Sequence, residues 1–128
     1  MIDSMLEKSI GEVVSIFQKF AETKYKKLSD KKVRTNDFQI LSKGSDLFLK
    51  ATGKDYLECI TQDEYIYIFL MFQKRHILEH NDGIVDEKYI EKTNDLEYEV
   101  NQRLIITHKS VSSFIRIITK LIKGIRNL

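Results

Sequence analysis

The sequence predicts an all-α fold, an up-and-down helical bundle of four to five helices with short extra helical turns. The chain of 128 residues has no proline and only five glycines, so little interrupts long helices. In several long segments apolar residues recur at intervals of three and four, which is the pattern of one helix face. A hydrophobic content of 42% is enough for a folded core, and the length suits a single domain over residues 1–128.

Two helices are predicted in the first half of the chain. The first is expected to start at a capping box made by Ser4 and Glu7 and to run to about Leu28. The second is expected over residues 36–53, because its apolar residues share one face and a glycine follows as a C-terminal cap. Gly44 is a candidate position for a bend within it.

A third helix is predicted to start at a second capping box, Thr61 with Glu64, and to reach about His80. Its apolar run at residues 65–72 is also compatible with a buried strand, but the cap before it and the polar helix formers after it favour a helix. Gly83 is placed to end this helix. Since the helix is apolar all round, we expect it to be covered on all sides.

The remaining elements are shorter or less regular, apart from a final helix over residues 109–127. Short helical segments are expected at residues 56–60 and 86–93, the second with Tyr89 and Ile90 facing inward. Residues 104–106 are expected to be extended and packed against the bundle. Arg116, Lys120 and Lys123 lie on the polar side of the final helix, and its apolar stripe consists of Val111, Phe114, Ile115, Ile118, Leu121, Ile122 and Ile125.

The net charge of +2 is unevenly distributed along the chain. Residues 19–34 contain seven basic side chains against two acidic ones, and residues 103–128 contain six basic side chains and no acidic one. Between them, residues 54–99 contain twelve acidic and five basic side chains. Two basic ends around an acidic middle suit a surface that attracts phosphate, although each end alone is equally typical of a solvated helix face.

The single cysteine, Cys59, is expected to be a small buried hydrophobic residue, because it has no partner for an internal disulfide. A reduced, cytoplasmic setting fits this composition. The first residues alternate charged and apolar side chains, unlike a secretory signal. The longest apolar run, residues 65–72, is too short to span a bilayer, so no membrane association is expected.

Ionisable side chains that could carry chemistry are concentrated in residues 75–80, at the end of the third helix. Two of the three histidines, His76 and His80, lie four positions apart and share a helix face, while Arg75 and Glu79 share the neighbouring face. One interpretation is phosphodiester chemistry, in which a histidine moves a proton and the arginine stabilises charge on phosphorus. Arg75 and His80 point in different directions, so a distorted helix end or a second subunit would be needed to bring them to one phosphate.

Two other interpretations use the same residues. His76, Glu79 and His80 fit the H-x-x-E-H pattern of zinc metallopeptidases, in which two histidines hold zinc and the glutamate activates water. That chemistry needs a third ligand, for which Glu97 or Glu99 would have to serve, and a larger α+β domain. On spacing alone, a polar helix end whose histidines are only hydrogen-bonded explains the pattern best.

Residues 73–90, QKRHILEHNDGIVDEKYI, resemble the active-site region of HEPN domains. The motif of that family is an arginine, a polar residue, three to five further residues and a histidine, and Arg75, His76 and His80 fit it at the shortest spacing. Residues 83–86 and the following Tyr89 are also similar to a branch of HEPN-like proteins with a G-[IV]-[VI]-D segment after the histidine. The match covers about 18 residues, and elsewhere only helix content, order and length agree.

The resemblance implies an all-helical, typically dimeric ribonuclease that needs no metal or cofactor and works in toxin–antitoxin or phage-defence systems. It implies Arg75 and His80 as the catalytic pair and His76 as the residue that orients one of them. RNA would be cut by attack of its own 2′-hydroxyl, and Lys74 and Asn81 would contact its backbone. An antitoxin or a larger defence protein would be a further partner.

The chain departs from the family at Asp82, where HEPN toxins silenced by a nucleotidyltransferase have a tyrosine. Control through modification of that tyrosine is therefore disfavoured. Some HEPN domains are non-catalytic modules for dimerisation or for binding RNA or nucleotides. The presence of both Arg75 and His80 argues against that alternative, which stays open on the sequence alone.

Overall fold

The computed structural model describes residues 2–128, with side chains from Ser4 onward. Within this range the chain forms five α-helices and no strand, which confirms the predicted all-α bundle. An antiparallel bridge between Ile84 and Arg103 is isolated. The α-helices are α1 (Ile2–Leu28), α2 (Leu41–Thr52), α3 (Gln62–His80), α4 (Glu87–Thr93) and α5 (His108–Arg126), and 3₁₀ helices occupy Thr35–Gln39 and Tyr56–Cys59.

The first and last helices, α1 and α5, pack side by side and run in the same direction. Glu7 in the second turn of α1 pairs with Arg103, just before α5, at 2.7 Å. At the other end, Lys24 Nζ of α1 donates to the carbonyl of Arg126 in the last turn of α5, at 3.1 Å. These contacts join residues about a hundred positions apart and fix the two ends of the bundle.

The third long helix, α3, runs antiparallel to α1 and α5. Its first turn contributes Glu64, which contacts Lys120 of α5, and its last turns bring Glu79 beside Gly11 of α1. The C-terminal end of α3, which carries the candidate site, therefore lies near the N-terminal end of α1. None of the helices in the described part of the chain is both long and apolar enough to cross a membrane.

Aromatic side chains dominate the main core between α1, α2, α3 and α5. The ring of Phe17 packs edge-on against those of Tyr56 and Phe72, each at a centroid distance of 6.0 Å, a favourable geometry for aromatic pairs. Inside α2, a Cβ at Gly44 would lie 2.6 Å from Tyr56 Oη, so the missing side chain makes room for this ring. A second, smaller cluster packs the end of α3 against the loops around α4 and consists of Ile77, Val85, Tyr89 and Leu104.

Helix ends were predicted correctly where a local cap defines them. The Thr61–Glu64 capping box at the start of α3 is present, and Gly53, at φ 77°, caps α2. The predicted starts of the first and second helices were wrong. Because α1 already includes Ile2, Ser4 lies inside the helix rather than at its cap. The second helix is divided by Ile40, whose extended backbone separates a 3₁₀ helix from α2.

Burial differs from the sequence-based expectation at several positions. Ile66 is 53% exposed, so α3 is not covered on all sides within one copy of the chain. Cys59 is exposed rather than buried, because it lies at the end of a surface 3₁₀ helix. On α5 Ile115 is exposed, and Ile117 takes its place in the core.

Other local predictions for the second half of the chain are confirmed. In the extended segment before α5, Leu104 and Ile106 are buried while Ile105 between them is exposed, as expected for extended chain lying on the bundle. Tyr89 of α4 points inward as predicted and is almost fully buried, whereas Ile90 is only half-buried. The side chain of Thr107 accepts a hydrogen bond from the N–H of Ser110 and so caps the start of α5.

Glu64 stabilises the fold in two ways. It completes the α3 capping box, and its carboxylate pairs with Lys120 and Arg116 of α5. The hydrogen bond from Lys120 and the N–H of Thr61 hold its pKa at about 2. We expect Glu64→Gln, which can keep the cap but not the charge, to lose about 1 kcal/mol of stability. Glu64→Ala should lose about 2 kcal/mol, because the cap is also removed.

The pH dependence of these variants checks the assignment. A carboxylate with a depressed pKa stabilises the fold above its ordinary value of 4.5, and this contribution is lost as the pH falls towards 2. Urea unfolding at neutral and acidic pH should therefore show the wild type and Glu64→Gln converging at low pH. A constant difference between the two proteins would show that the ion pairs do not stabilise the fold.

Candidate functional site

The candidate site lies at the C-terminal end of α3, where the helix stays regular through its last residue. The N–H of Asn81 and the N–H of Gly83 both bond to the carbonyl of Ile77, at 2.9 and 3.1 Å. Asp82 and Gly83 have φ values of 54° and 75°, so the chain reverses sharply as the sequence predicted. Because the end is regular, no local distortion redirects the side chains of the preceding turns.

Arg75 points towards α1 and is already paired. Its Nη2 and Nε donate to the two carboxylate oxygens of Glu79, at 2.7 and 3.2 Å, and its side chain is only 12% exposed. The side-chain amide of Gln39 is oriented so that both its oxygen and its nitrogen have suitable hydrogen-bond partners. In this orientation its oxygen accepts from the Arg75 guanidinium at 3.0 Å. A phosphate approaching Arg75 must therefore compete with a bidentate carboxylate.

A groove of about 660 Å³ runs between the first half of α1 and the last turns of α3. Arg75, Leu78 and Glu79 line it on one side. The opposite wall belongs to α1, where Gly11 lies beside Glu79, and a Cβ there would be in ordinary van der Waals contact, 3.6 Å from Glu79 Oε1. Ile16 of this wall is largely exposed.

The two histidines are neighbours on α3, and His76 faces α4. Their rings are 4.7 Å apart between centroids and tilted by 48°. His76 borders a small crevice of about 40 Å³ together with Asp86 and Lys92. Partial burial, with a further contribution from His80, lowers the pKa of His76, so its ring is neutral at neutral pH. His80 is 62% exposed, with Nε2 4.0 Å from Glu79 Oε2.

Arg75 and His80 leave the α3 backbone in different directions, since five positions on a regular helix correspond to a rotation of about 140° and a rise of about 7.5 Å. Their side chains nevertheless both reach Glu79, whose Oε2 lies 2.7 Å from Arg75 Nη2 and 4.0 Å from His80 Nε2. A phosphate in the place of this carboxylate would lie between both groups within one subunit.

The two predicted RNA-contacting residues are both engaged within the protein. Lys74 is only 8% exposed, and its ammonium lies 5.6 Å from the centroid of the Tyr98 ring. Asn81 is exposed, but its side-chain amide donates to the carbonyl of Ile84 at 2.7 Å and so holds the turn after α3.

Arg103 is a residue near the site that the sequence did not reveal. Its guanidinium bonds to the carbonyl of Asp82 and pairs with Glu7, so it links the turn after α3 to α1. Neither a motif nor a spacing marks it, because Glu7 lies 96 positions away. Gln39, which contacts Arg75, was missed for the same reason.

The geometry gives no support to the zinc interpretation. Among the described residues, no three His, Cys, Asp or Glu side chains converge as a metal site requires. Glu79, which a zinc peptidase would use to activate water, is instead paired with Arg75.

Comparisons with known proteins gave no relative for this chain. No family model matches it, and neither the curated proteins nor the solved structures include a significant match. The candidate site therefore has to be interpreted from its own geometry and from the motif at residues 75–80.

Proposed function

We propose that this protein is a metal-independent endoribonuclease of the HEPN type that acts as a homodimer. The observation that carries the proposal is the Arg75, His76 and His80 motif at the regular end of the long helix α3 in an all-α bundle. Arg75 and His80 both reach the Glu79 carboxylate, so one phosphate in its place would lie between them, and the homodimer is what the resemblance implies. The proposed setting is a toxin or phage-defence system, with the chain acting alone or as part of a larger defence protein.

In the proposed reaction, the 2′-oxygen of a ribose attacks the adjacent phosphorus as the bond from phosphorus to the 5′-oxygen breaks. The products are a 2′,3′-cyclic phosphate and a 5′-hydroxyl. His80 moves the proton between ribose and leaving oxygen, and its exposure gives a substrate access to it. Arg75 stabilises the negative charge that builds up on the phosphate oxygens. His76, with its lowered pKa, is a neutral hydrogen-bonding partner next to His80.

The pairing of Arg75 with Glu79 favours a second candidate function, a non-catalytic module for dimerisation or for binding RNA or nucleotides. The guanidinium is largely covered and has both Glu79 and Gln39 as partners, so it already has a structural role in the free chain. For catalysis, substrate binding has to displace Glu79 from the guanidinium. If Arg75 has only a structural role, its pair with Glu79 stays intact when a ligand binds.

The product chemistry separates these two functions. We expect the wild-type protein to cut single-stranded RNA in EDTA and to leave a 2′,3′-cyclic phosphate, which mass spectrometry identifies. The same RNA carrying 2′-O-methyl groups should stay intact, because it lacks the nucleophile. His80→Ala should cut at least about 100-fold more slowly. Equal cleavage by His80→Ala, or no cleavage of a broad RNA panel by the wild type, would contradict the ribonuclease proposal.

A further inference from the structure

The basic C-terminal ends of α1 and α5 meet at one end of the bundle, opposite the candidate active site. The contact between Lys24 and Arg126 joins the ends of α1 and α5. The candidate site lies near Gly11 at the other end of α1. From Gly11 to Lys26, fifteen helical residues span about 22 Å. The two regions are thus separate surfaces of one molecule.

Five of the thirteen basic side chains in these stretches have acidic partners within the described part of the chain. Arg116 and Lys120 of α5 both contact Glu64, so the polar side of that helix is largely neutralised. Lys19 and Lys26 of α1 share Glu22, whose carboxylate is mostly covered. These cations are less available for a ligand than their number suggests.

The loop between α1 and the first 3₁₀ helix gathers unpaired cations around one recess, and together with α1 and α2 it lines a concavity of about 890 Å³. Lys31, Lys32 and Arg34 line it, are exposed, and have no ion pair within the described part of the chain. The further charged residues of its wall are Lys26 and Lys43, which are paired, and Asp30 and Asp37. The five basic and two acidic side chains give the lining an excess of three positive charges.

The concavity is shaped before any ligand arrives. Asp37 accepts the N–H of Arg34 at 2.9 Å and contacts Lys43 Nζ at 2.9 Å. Ser29 Oγ accepts the N–H of Lys31 at 3.1 Å, and Gln18 of α1 donates to the carbonyl of Thr35 at 3.3 Å. These bonds hold the loop while its cationic side chains stay free, which reduces the entropy lost on binding.

We propose that this basic concavity binds the phosphate backbone of single-stranded nucleic acid. Three unpaired cations around a recess suit a chain of phosphates, and a recess suits a strand better than the flat surface of a bilayer. No aromatic side chain lines the recess, so recognition is electrostatic and independent of base sequence. This inference does not depend on cleavage at Arg75 and His80.

Fluorescence anisotropy with a labelled oligouridylate of about 12 nucleotides tests the proposal. The measurement uses the Arg75→Ala/His80→Ala protein in EDTA, so that the probe is not consumed. Neutralising three phosphate contacts gives a slope of log K against log salt near −2, or about 20-fold weaker binding between 50 and 200 mM salt. Adding Lys31→Ala, Lys32→Ala and Arg34→Ala should weaken binding about 50-fold at physiological salt. An oligothymidylate should behave in the same way.

Two matched controls make the result specific. Lys54→Ala/Lys109→Ala/Lys123→Ala removes the same charge from exposed lysines outside the concavity and should leave binding within about twofold. Exchanging lysine for arginine and arginine for lysine at the three concavity positions keeps the charge and should leave oligonucleotide binding unchanged. Equal losses in both triple alanine variants, or undiminished binding without the concavity cations, would overturn the inference. Vesicles of phosphatidylcholine and phosphatidylserine that bind more tightly than the oligonucleotide would also overturn it.

The same experiments separate this inference from the proposed ribonuclease activity. Binding through the concavity together with an absence of cleavage by the wild type contradicts the ribonuclease alone. Cleavage by the wild type together with unchanged binding by the concavity variant contradicts the nucleic-acid site alone.

Discussion

A mixture of Arg75→Ala and His80→Ala proteins is expected to regain RNA cleavage, although each variant alone loses at least about 100-fold. This follows from a shared site in which Arg75 of one subunit and His80 of the other act on one phosphate. After subunit exchange, half of the dimers contain both variants. Each of these has one site with both native groups and one with neither, so cleavage should return to about a quarter of the wild-type rate.

The basis of this expectation is the dimeric cleft that the resemblance to HEPN domains implies. Within one chain, Arg75 Nη2 and His80 Nε2 lie 2.7 and 4.0 Å from the same oxygen of Glu79. A site contained in one subunit is therefore the alternative that the mixing experiment tests.

Refolding the two variants together, followed by a cleavage assay in EDTA, measures the effect. Mixing Arg75→Ala with the Arg75→Ala/His80→Ala double variant is the matched control, since no arrangement of those subunits contains an Arg75. If the Arg75→Ala and His80→Ala mixture stays as inactive as its components, the shared site is wrong.

Replacing Gly83 by alanine is expected to destabilise the protein by about 2 kcal/mol, whereas the same change at Gly53 should cost about 1 kcal/mol. Both glycines have nearly the same left-handed backbone, with φ values of 75° and 77°, so the strain imposed on an L-residue is similar. Their surroundings differ. A Cβ at Gly53 meets nothing within 4 Å, but at Gly83 it would collide with the guanidinium of Arg103.

The collision adds to the strain because Arg103 is engaged in the folded protein. It bonds to the carbonyl of Asp82 and pairs with Glu7 at 2.7 Å, and displacing this half-exposed side chain gives up about 1 kcal/mol. Urea unfolding of the two variants measures the difference. In an Arg103→Ala background, Gly83→Ala should cost only about 1 kcal/mol, as Gly53→Ala does. Equal costs for the two glycines in the native background would mean that Arg103 does not stabilise the turn.

The helices of this protein were largely predictable because their signals are local. A capping box at Thr61, a glycine in the left-handed region at Gly53 and an apolar period of three to four residues each act within a few positions of the chain. The same local order predicted that α3 ends near Gly83, but it did not show that Arg75 and His80 both reach Glu79. Ser4 and residues 36–40 show where local signals fail, since α1 extends past the capping box and the extended backbone of Ile40 interrupts the predicted second helix.

By itself, then, the sequence determined the helix content, most helix ends and the clustering of ionisable groups at residues 75–80. Only the tertiary structure decided which of those groups are free. It paired Arg75 with Glu79, covered Lys74 with Tyr98 and neutralised the basic side of α5 through Glu64. It also placed Lys31, Lys32 and Arg34 around one recess at the end of the bundle opposite Arg75. The physical reason is that charge pairing and burial depend on how helices pack across tens of residues, and local spacing does not specify that packing.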